Sequence, residues 1–130
     1  MLDVRSAPSL RRVLVVDDEE PIRSTLTEAF ELEGYAVRSA SNGLEAFDVM
    51  RRFRPGAIVL DLMMPVMNGW EFLEQCQGDD ECSETPVLVI SAYSKLPKEA
   101  ARLGVKACIA KPFDLDVLLG AVDRVMRAAA

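Results

Sequence analysis

The feature that most constrains the fold of this chain is a series of short apolar runs that end abruptly in polar residues. Such runs occupy residues 13–16, 57–60 and 87–90, and segments with helical spacing of apolar residues lie between them. Runs without polar alternation are typical of strands buried on both faces of a sheet. With further strands expected at 35–40 and 105–110, the pattern predicts five β/α units in one doubly wound α/β domain, a (βα)5 fold with a parallel five-stranded sheet.

Glycine, asparagine and aspartate residues mark the expected ends of these elements. Gly34 is expected to end the first helix, Asn42–Gly43 to form a turn, and Asp114 to cap the last helix. The polar, acidic segment at 78–85 is expected to be a turn. The expected organisation of the 130 residues is a flexible N-terminal arm at 1–11, a folded domain at 12–127 and a short C-terminal tail at 128–130.

The charge balance excludes several function classes. A net charge of −6 and a pI near 4.7 argue against sequence-independent binding to nucleic acid or to an anionic membrane. No apolar run approaches the ~18 residues that a membrane span needs. The first residues also lack the hydrophobic core of a signal peptide. We therefore expect a cytoplasmic protein that binds neither nucleic acid nor membrane directly.

The histidine and cysteine content adds further limits. The chain has no histidine, which excludes a Ser-His-Asp triad and a phosphohistidine within these residues, and leaves zinc little support. The three cysteines, Cys76, Cys82 and Cys108, are odd in number and include no C-x-x-C pair. This pattern predicts reduced, mostly buried thiols.

Polar side chains directly follow four of the predicted strands. Asp17 and Asp18 follow the first strand, Asp61 the third, Ser91 ends the fourth, and Lys111 follows the fifth. Taken singly, an acidic pair is often a helix cap and a lone serine or lysine is usually a surface residue. Because ligands of open α/β sheets bind at the carboxyl ends of the strands, the joint pattern predicts one convergent site.

The residue types of this site point to phosphoryl chemistry. Three crowded carboxylates repel one another unless a cation joins them, and carboxylate oxygens favour a hard divalent ion such as Mg²⁺. A hydroxyl and an ammonium beside that ion can stabilise the charge of a transferring phosphoryl group. A carboxylate can then act as the nucleophile and form an acyl phosphate.

Four motifs, in order and spacing, resemble the receiver domain of two-component response regulators. They read VLVVDDEEP, IVLDLMMPVMNGWEF, VLVISA and AKPF, and the resemblance covers about residues 12–127. The resemblance implies a CheY-like, flavodoxin-like sheet with strand order 2-1-3-4-5. It also implies a phospho-accepting protein that catalyses only its own aspartyl phosphorylation and dephosphorylation, and is otherwise not an enzyme.

The resemblance further implies a role for each acidic site residue. Asp61 is the expected phospho-acceptor and a metal ligand. Asp18 is expected to bind Mg²⁺ directly and Asp17 through water, with the backbone carbonyl of Met63 as a further ligand. We also expect Asp18→Asn to raise the metal-free stability while weakening Mg²⁺ binding, because it relieves carboxylate repulsion.

The remaining motif residues are expected to bind and sense the phosphoryl group. Ser91 is the expected switch hydroxyl, the backbone amide of Ala92 is expected to face the phosphate, and Lys111 is expected to pair with the phosphoryl group. The Lys111–Pro112 bond resembles the cis peptide usual in the family.

Two positions depart from or vary within the family pattern. Receivers commonly carry a tyrosine or phenylalanine switch residue where this chain has Cys108. The usual coupling between this aromatic switch residue and the residue at Ser91 is therefore not implied for this chain. We expect Cys108 to be a packing residue rather than a redox switch. Met63 and Tyr93 lie two residues beyond Asp61 and Ser91, where the family tunes the acyl-phosphate lifetime. Since neither orients a water, slow self-dephosphorylation is expected.

The resemblance also implies partners and an output surface. The phosphoryl donor is expected to be a phosphohistidine on a sensor histidine kinase or a histidine phosphotransfer protein. The fourth predicted helix, at 97–103, the fifth strand and the last helix form what we call the output face, at about 95–127. This face is expected to signal to an effector protein or a fused output domain, and a homodimer through it remains open. Its candidate exposed charges are Lys95, Lys98, Arg102 and Lys106.

Three other functions could explain parts of the same sequence pattern. A haloacid-dehalogenase-type phosphatase needs D-x-D-x-[TV], which the segment from Asp17 to Pro21 does not match. A flavodoxin needs a Ser/Thr-rich loop after the first strand, whereas the acidic run at 17–20 repels phosphate. A degenerate receiver that acts only as an interaction module is disfavoured by the complete set of acceptor, metal, hydroxyl and lysine residues.

Overall fold

The computed structural model describes residues 11–64, 66–92 and 98–129, and their secondary structure alternates between strands and helices. The elements in chain order are β1 (Arg12–Val16), α1 (Glu20–Leu32), β2 (Ala36–Ala40), α2 (Gly43–Phe53), β3 (Ala57–Asp61), α3 (Gly69–Gln77), α4 (Asp80–Ser83), β4 (Val87–Ser91), α5 (Lys98–Arg102), β5 (Val105–Ala110) and α6 (Leu115–Ala129).

The five strands form one parallel sheet in the order β2-β1-β3-β4-β5, which confirms the predicted fold. In the register of the sheet, Val16 lies beside Leu60, and Asp61 lies beside Ile90. Ser91 in turn lies beside Ala110. The polar residues that end these strands are therefore brought to the same edge of the sheet.

Two hydrophobic clusters cover the two faces of the sheet. On one face, α1 and α6 pack with Leu26, Phe30 and Leu118 against residues such as Val15 of β1. On the other face, α2 and α3 pack with residues such as Phe72 against alternate residues of the same strands. Strands β1, β3 and β4 are buried on both faces, so their continuous apolar sequences are required by the fold.

Capping side chains and a glycine mark the ends of three helices. The Asn42 side chain accepts the Glu45 N–H and starts α2. Asn68 and Glu71 form a reciprocal capping box at the start of α3. Gly34, with φ of 92°, follows α1 in the left-handed conformation, as its expected role at the helix end requires.

The structure corrects two predictions in the segment that precedes β4. The region at 78–85 contains the short helix α4 instead of only a turn, because the Asp79 side chain accepts the Cys82 N–H and caps it. Cys76 and Cys82 are buried as expected, but they form a disulfide, so the prediction of reduced thiols is wrong for this pair. Because α4 is additional, the fourth predicted helix and the last helix correspond to α5 and α6.

The structure describes little of the predicted N-terminal arm, and its last helix extends past the expected end of the domain. The predicted arm at 1–11 lies outside the described residues except for Arg11, whose guanidinium stacks 4.4 Å from the centroid of the Tyr35 ring. Helix α6 continues through Ala129, beyond the expected end of the domain at residue 127. Within the described part of the chain, no helix has both the length and the apolar character to cross a membrane.

Candidate functional site

The carboxyl edge of the sheet carries a small group of buried polar side chains. Asp17 follows β1, Asp61 ends β3 and Ser91 ends β4, and they are 1%, 2% and 0% exposed. They are the buried polar or charged residues within the described ranges. Since a buried polar group is costly unless it is partnered, three such residues at one edge indicate a functional site.

Lys111 connects these residues from the end of β5. Its Nζ lies 3.4 Å from Oδ2 of Asp61 and 4.0 Å from Oδ2 of Asp17. Its backbone N–H donates to the Ser91 carbonyl at 2.7 Å, so the loops after β4 and β5 are joined directly. The Lys111–Pro112 peptide bond is cis, as the resemblance implied. The structure thus brings Asp17, Asp61, Ser91 and Lys111 together.

Asp17 is the most perturbed acid of the site. The pKa of Asp17 is raised to about 6, chiefly by burial and also by the nearby Asp61 carboxylate, against the hydrogen bond from the Glu19 N–H, which lowers it. Oδ1 accepts that N–H at 2.9 Å, whereas Oδ2 is buried without a hydrogen-bond partner. A divalent cation would satisfy this oxygen and remove the repulsion, so the residues present fit a bound metal ion.

The acidic run after β1 supplies further oxygen ligands. Carboxylate oxygens of Asp17, Asp18 and Glu19 lie within 4.8 Å of one another, with Asp18 and Glu19 exposed. Glu19 was not among the predicted metal ligands, although the acidic run that contains it was visible in the sequence. All of these donors are oxygens, which favours a hard ion such as Mg²⁺.

The loop after β3 contacts the predicted acceptor. The Met63 backbone N–H donates to Oδ1 of Asp61 at 3.1 Å, and the Met63 side chain is 61% exposed. The start of α3 is close as well, since Gly69 N–H donates to the Leu62 carbonyl at 3.0 Å. Metal ligation by the Met63 carbonyl stays a prediction.

The other predicted residues lie at or below this edge. Ala92 is exposed beside Ser91. Cys108 is half-buried within β5, where it lies beside Val89 and packs against the core, and burial raises the pKa of its thiol. This packing supports the interpretation of Cys108 as a structural residue. Tyr93 and Lys95 lie outside the described residues. The remaining predicted charges of the output face are exposed, namely Lys98, Arg102 and Lys106.

Known proteins resemble this chain along most of its length. The family model described as response regulator receiver domain matches residues 13–123. The chain is 38% identical over 117 residues to sporulation initiation phosphotransferase F of Bacillus subtilis, covering 88% of this chain and 93% of that protein. It is 36% identical to the response regulator MprA of Mycobacterium tuberculosis, covering 89% of this chain. The match spans 50% of MprA, so this chain corresponds to about half of that relative.

Solved structures show the same architecture. The chemotaxis response regulator CheY4 of Vibrio cholerae aligns with a TM-score of 0.82 at 31% identity, covering 88% of this chain and 97% of that one. The receiver domain of the Francisella response regulator 1452 aligns with a TM-score of 0.85 at 28% identity, covering 92% and 99% of the two chains. Fold and sequence therefore point to the same family.

Proposed function

The chain belongs to the response regulator receiver domain family, and from that membership and the geometry of the site we propose that it accepts a phosphoryl group on Asp61. The observation that carries this proposal is the buried Asp61 carboxylate with Nζ of Lys111 3.4 Å away and a buried Asp17 oxygen nearby that has no hydrogen-bond partner. A nucleophile, a cation and further carboxylate oxygens then lie together at one end of the sheet.

Membership of the family implies a phosphohistidine donor on a sensor histidine kinase or a histidine phosphotransfer protein. Since this chain has no histidine, the donor lies outside these residues. An Asp61 carboxylate oxygen forms a bond to phosphorus while the phosphorus–nitrogen bond of the donor breaks. The electron pair of that bond returns to the imidazole, which takes up a proton. Asp61 then carries an acyl phosphate.

Oxygen ligands from Asp17, Asp18, Asp61 and the Met63 carbonyl would hold Mg²⁺ at this site. This ion would offset negative charge on the transferring group. Lys111 would offset the same charge, since its Nζ lies 3.4 Å from Oδ2 of Asp61. We expect the Ser91 hydroxyl to donate to a phosphoryl oxygen and the Ala92 backbone amide to face the same group.

The path from phosphorylation to output runs through the loops after β4 and β5. The phosphoryl group on Asp61 is a new dianion, and it would attract Lys111 and Ser91. These residues lie at the starts of two loops that the hydrogen bond from the Lys111 N–H to the Ser91 carbonyl joins. The adjoining output face is formed here by α5, β5 and α6. Rearrangement of this face would regulate an effector protein or a fused output domain, and dimerisation through it is one form of that output. This scheme needs no direct nucleic-acid or membrane contact and suits a cytoplasmic protein.

The acyl phosphate is expected to persist. Met63 is a neutral, exposed side chain two residues beyond the acceptor, and it offers no group that orients an attacking water. The protein would then act as a switch with catalysis limited to its own phosphorylation and dephosphorylation. A phosphoryl half-life of only seconds in purified protein would contradict this part of the proposal.

The direct test is phosphorylation by acetyl phosphate with Mg²⁺, followed by intact mass spectrometry. The wild type should gain one phosphoryl group, Asp61→Asn should gain none, and the control Asp48→Asn, at an exposed position on α2, should behave as the wild type. Beryllofluoride should bind under the same conditions. Unmodified wild type would favour the degenerate receiver, whereas multiple turnover of a phosphate ester would favour a phosphatase.

A further inference from the structure

A second chemical feature lies far from the phosphorylation site. Cys76 near the end of α3 and Cys82 in α4 are joined by a disulfide, with their Cα atoms 5.0 Å apart. Cys76 is only 4% exposed and Cys82 is 0% exposed. The pair precedes the start of β4 at Val87, whereas the phosphorylation site lies at the opposite ends of the strands. The receiver chemistry therefore makes no use of this pair.

The disulfide-bonded residues nevertheless border a pocket. A cavity of about 600 Å³, open to solvent, is lined by both cysteines and by residues from the ends of α3 and α6 and the starts of β4 and β5. A cavity of this size admits a small organic molecule. The disulfide-bonded residues thus form part of the wall of a space that a small reagent can enter.

The charges around this pocket select the kind of reagent. The charged lining residues are Lys106, Arg124 and Glu84, two cations and one carboxylate, and all three are exposed. None of the described ion pairs involves these three side chains, so the two cations remain available to an incoming anion. The pocket therefore favours a negatively charged molecule although the whole chain carries a net charge of −6.

We propose that Cys76 and Cys82 form a reversible thiol–disulfide exchange site and that the pocket admits a small carboxylate-bearing thiol as its reductant. The thiolate of this reagent attacks one sulfur of the pair, forming a mixed disulfide and releasing the other cysteine as a thiolate. A second reagent thiolate attacks the sulfur of the first, which releases the second cysteine and leaves the reagent as its own disulfide. Both cysteine thiolates then take up protons.

The same steps in reverse restore the pair. The disulfide form of the small thiol acts as the oxidant, and two electrons return to it as the Cys76–Cys82 bond forms. Reduction releases the covalent link between α3 and α4, and the Asp79 cap on the Cys82 N–H then remains to hold α4. This exchange gives the domain a chemical input that is independent of phosphorylation.

The test compares reduction of the full chain by an anionic thiol, 3-mercaptopropionate, with reduction by the neutral 2-mercaptoethanol. At each time point the reaction is stopped, the protein is alkylated in denaturant, and the number of alkylated thiols is read from its intact mass. The oxidised chain has one free thiol, Cys108, and the reduced chain has three. Lys106→Gln and Arg124→Gln should each slow the anionic thiol about fivefold relative to the neutral one, whereas Glu84→Gln should speed it by a similar factor. High salt should reduce these differences.

Arg127→Gln is the matched control, because Arg127 is exposed on α6 three residues beyond Arg124 but does not line the pocket. It should leave the ratio of the two rates unchanged. The proposal is overturned if air-oxidised protein alkylates at all three cysteines without reductant, or if the disulfide is reduced only after unfolding. Equal rate ratios in all of the variants would also overturn it.

Discussion

Asp17 is the residue whose environment departs most from that of a soluble aspartate. Its folded pKa of about 6 lies above the ordinary value of 3.8 because burial disfavours the charged form. The folded state therefore binds more protons than the unfolded state between these pH values, so stability falls as pH rises from about 4 to about 6. At neutral pH without metal, this carboxylate destabilises the fold by roughly 1–3 kcal/mol.

Asp17→Asn should accordingly stabilise the metal-free protein. In a chelator at pH 7.5, we expect the free energy of unfolding to rise by roughly 1–3 kcal/mol, and the gain should vanish near pH 4. Urea unfolding at several pH values measures both effects, with the exposed Asp48→Asn as the control. The expected Asp18→Asn effect should be smaller, since Asp18 is exposed. A loss of stability in Asp17→Asn at pH 7.5 would contradict this account.

Lys111 offsets the same repulsion from the end of β5. Lys111→Met leaves the carboxylates of Asp61 and Asp17 without the ammonium that lies 3.4 Å and 4.0 Å from them. Metal-free stability at pH 7.5 should fall by roughly 1–3 kcal/mol, and phosphorylation by acetyl phosphate should slow. Adding Asp17→Asn should recover much of the lost stability, because the two residues interact directly. Strictly additive effects in denaturant titrations would argue against this pairing.

At the scale of elements, the sequence was most informative where a local pattern determines the structure. Continuous apolar runs located the buried strands, and Asn42 and Gly34 marked helix ends. Helix α4 was missed because it has only four residues, three of them polar, and the Asp79 cap distinguishes it from a turn. The disulfide was missed because its pairing depends on how α3 ends beside α4, which spacing alone does not determine.

Two glycines within helices should respond oppositely to alanine. In Gly69→Ala at the start of α3, the new Cβ would lie 2.5 Å from Leu62 Cα and 2.8 Å from the Asp61 carbonyl oxygen, so backbone must move. We expect a loss of about 2–4 kcal/mol. In Gly120→Ala within α6, the nearest atom would be 3.6 Å away on Arg124, and a gain of about 0.5–1 kcal/mol is expected. Paired thermal melts test both, and a stabilised Gly69→Ala would contradict the close approach.

At the scale of the whole molecule, the site exists because a parallel sheet gathers distant parts of the chain. Asp17, Asp61 and Lys111 are far apart in sequence, yet the parallel order β2-β1-β3-β4-β5 brings the carboxyl ends of β1, β3 and β5 to one edge of the sheet, with β4 between β3 and β5. The sequence predicted this convergence because strand ends are readable locally. It did not predict that Oδ2 of Asp17 is left without a hydrogen bond, since that depends on the directions of neighbouring side chains. The electrostatic repulsion that this arrangement creates acts between carboxylates at the ends of two neighbouring strands, β1 and β3, so a cation that relieves it should stabilise the entire domain.

Mg²⁺ should therefore raise the melting temperature, and the size of the rise should depend on pH. Above pH 6 Asp17 is ionised and can bind the metal ion. Below pH 6 Mg²⁺ competes with a proton for this carboxylate, so the affinity of the site for Mg²⁺ should fall up to about tenfold per pH unit. At about 100 times the dissociation constant, Mg²⁺ should add about 2.7 kcal/mol to stability. The same concentration should add much less at pH 5 than at pH 7.5. Thermal melts with Mg²⁺ or with NaCl of equal ionic strength separate binding from screening, and equal shifts at both pH values would contradict a metal site that includes Asp17.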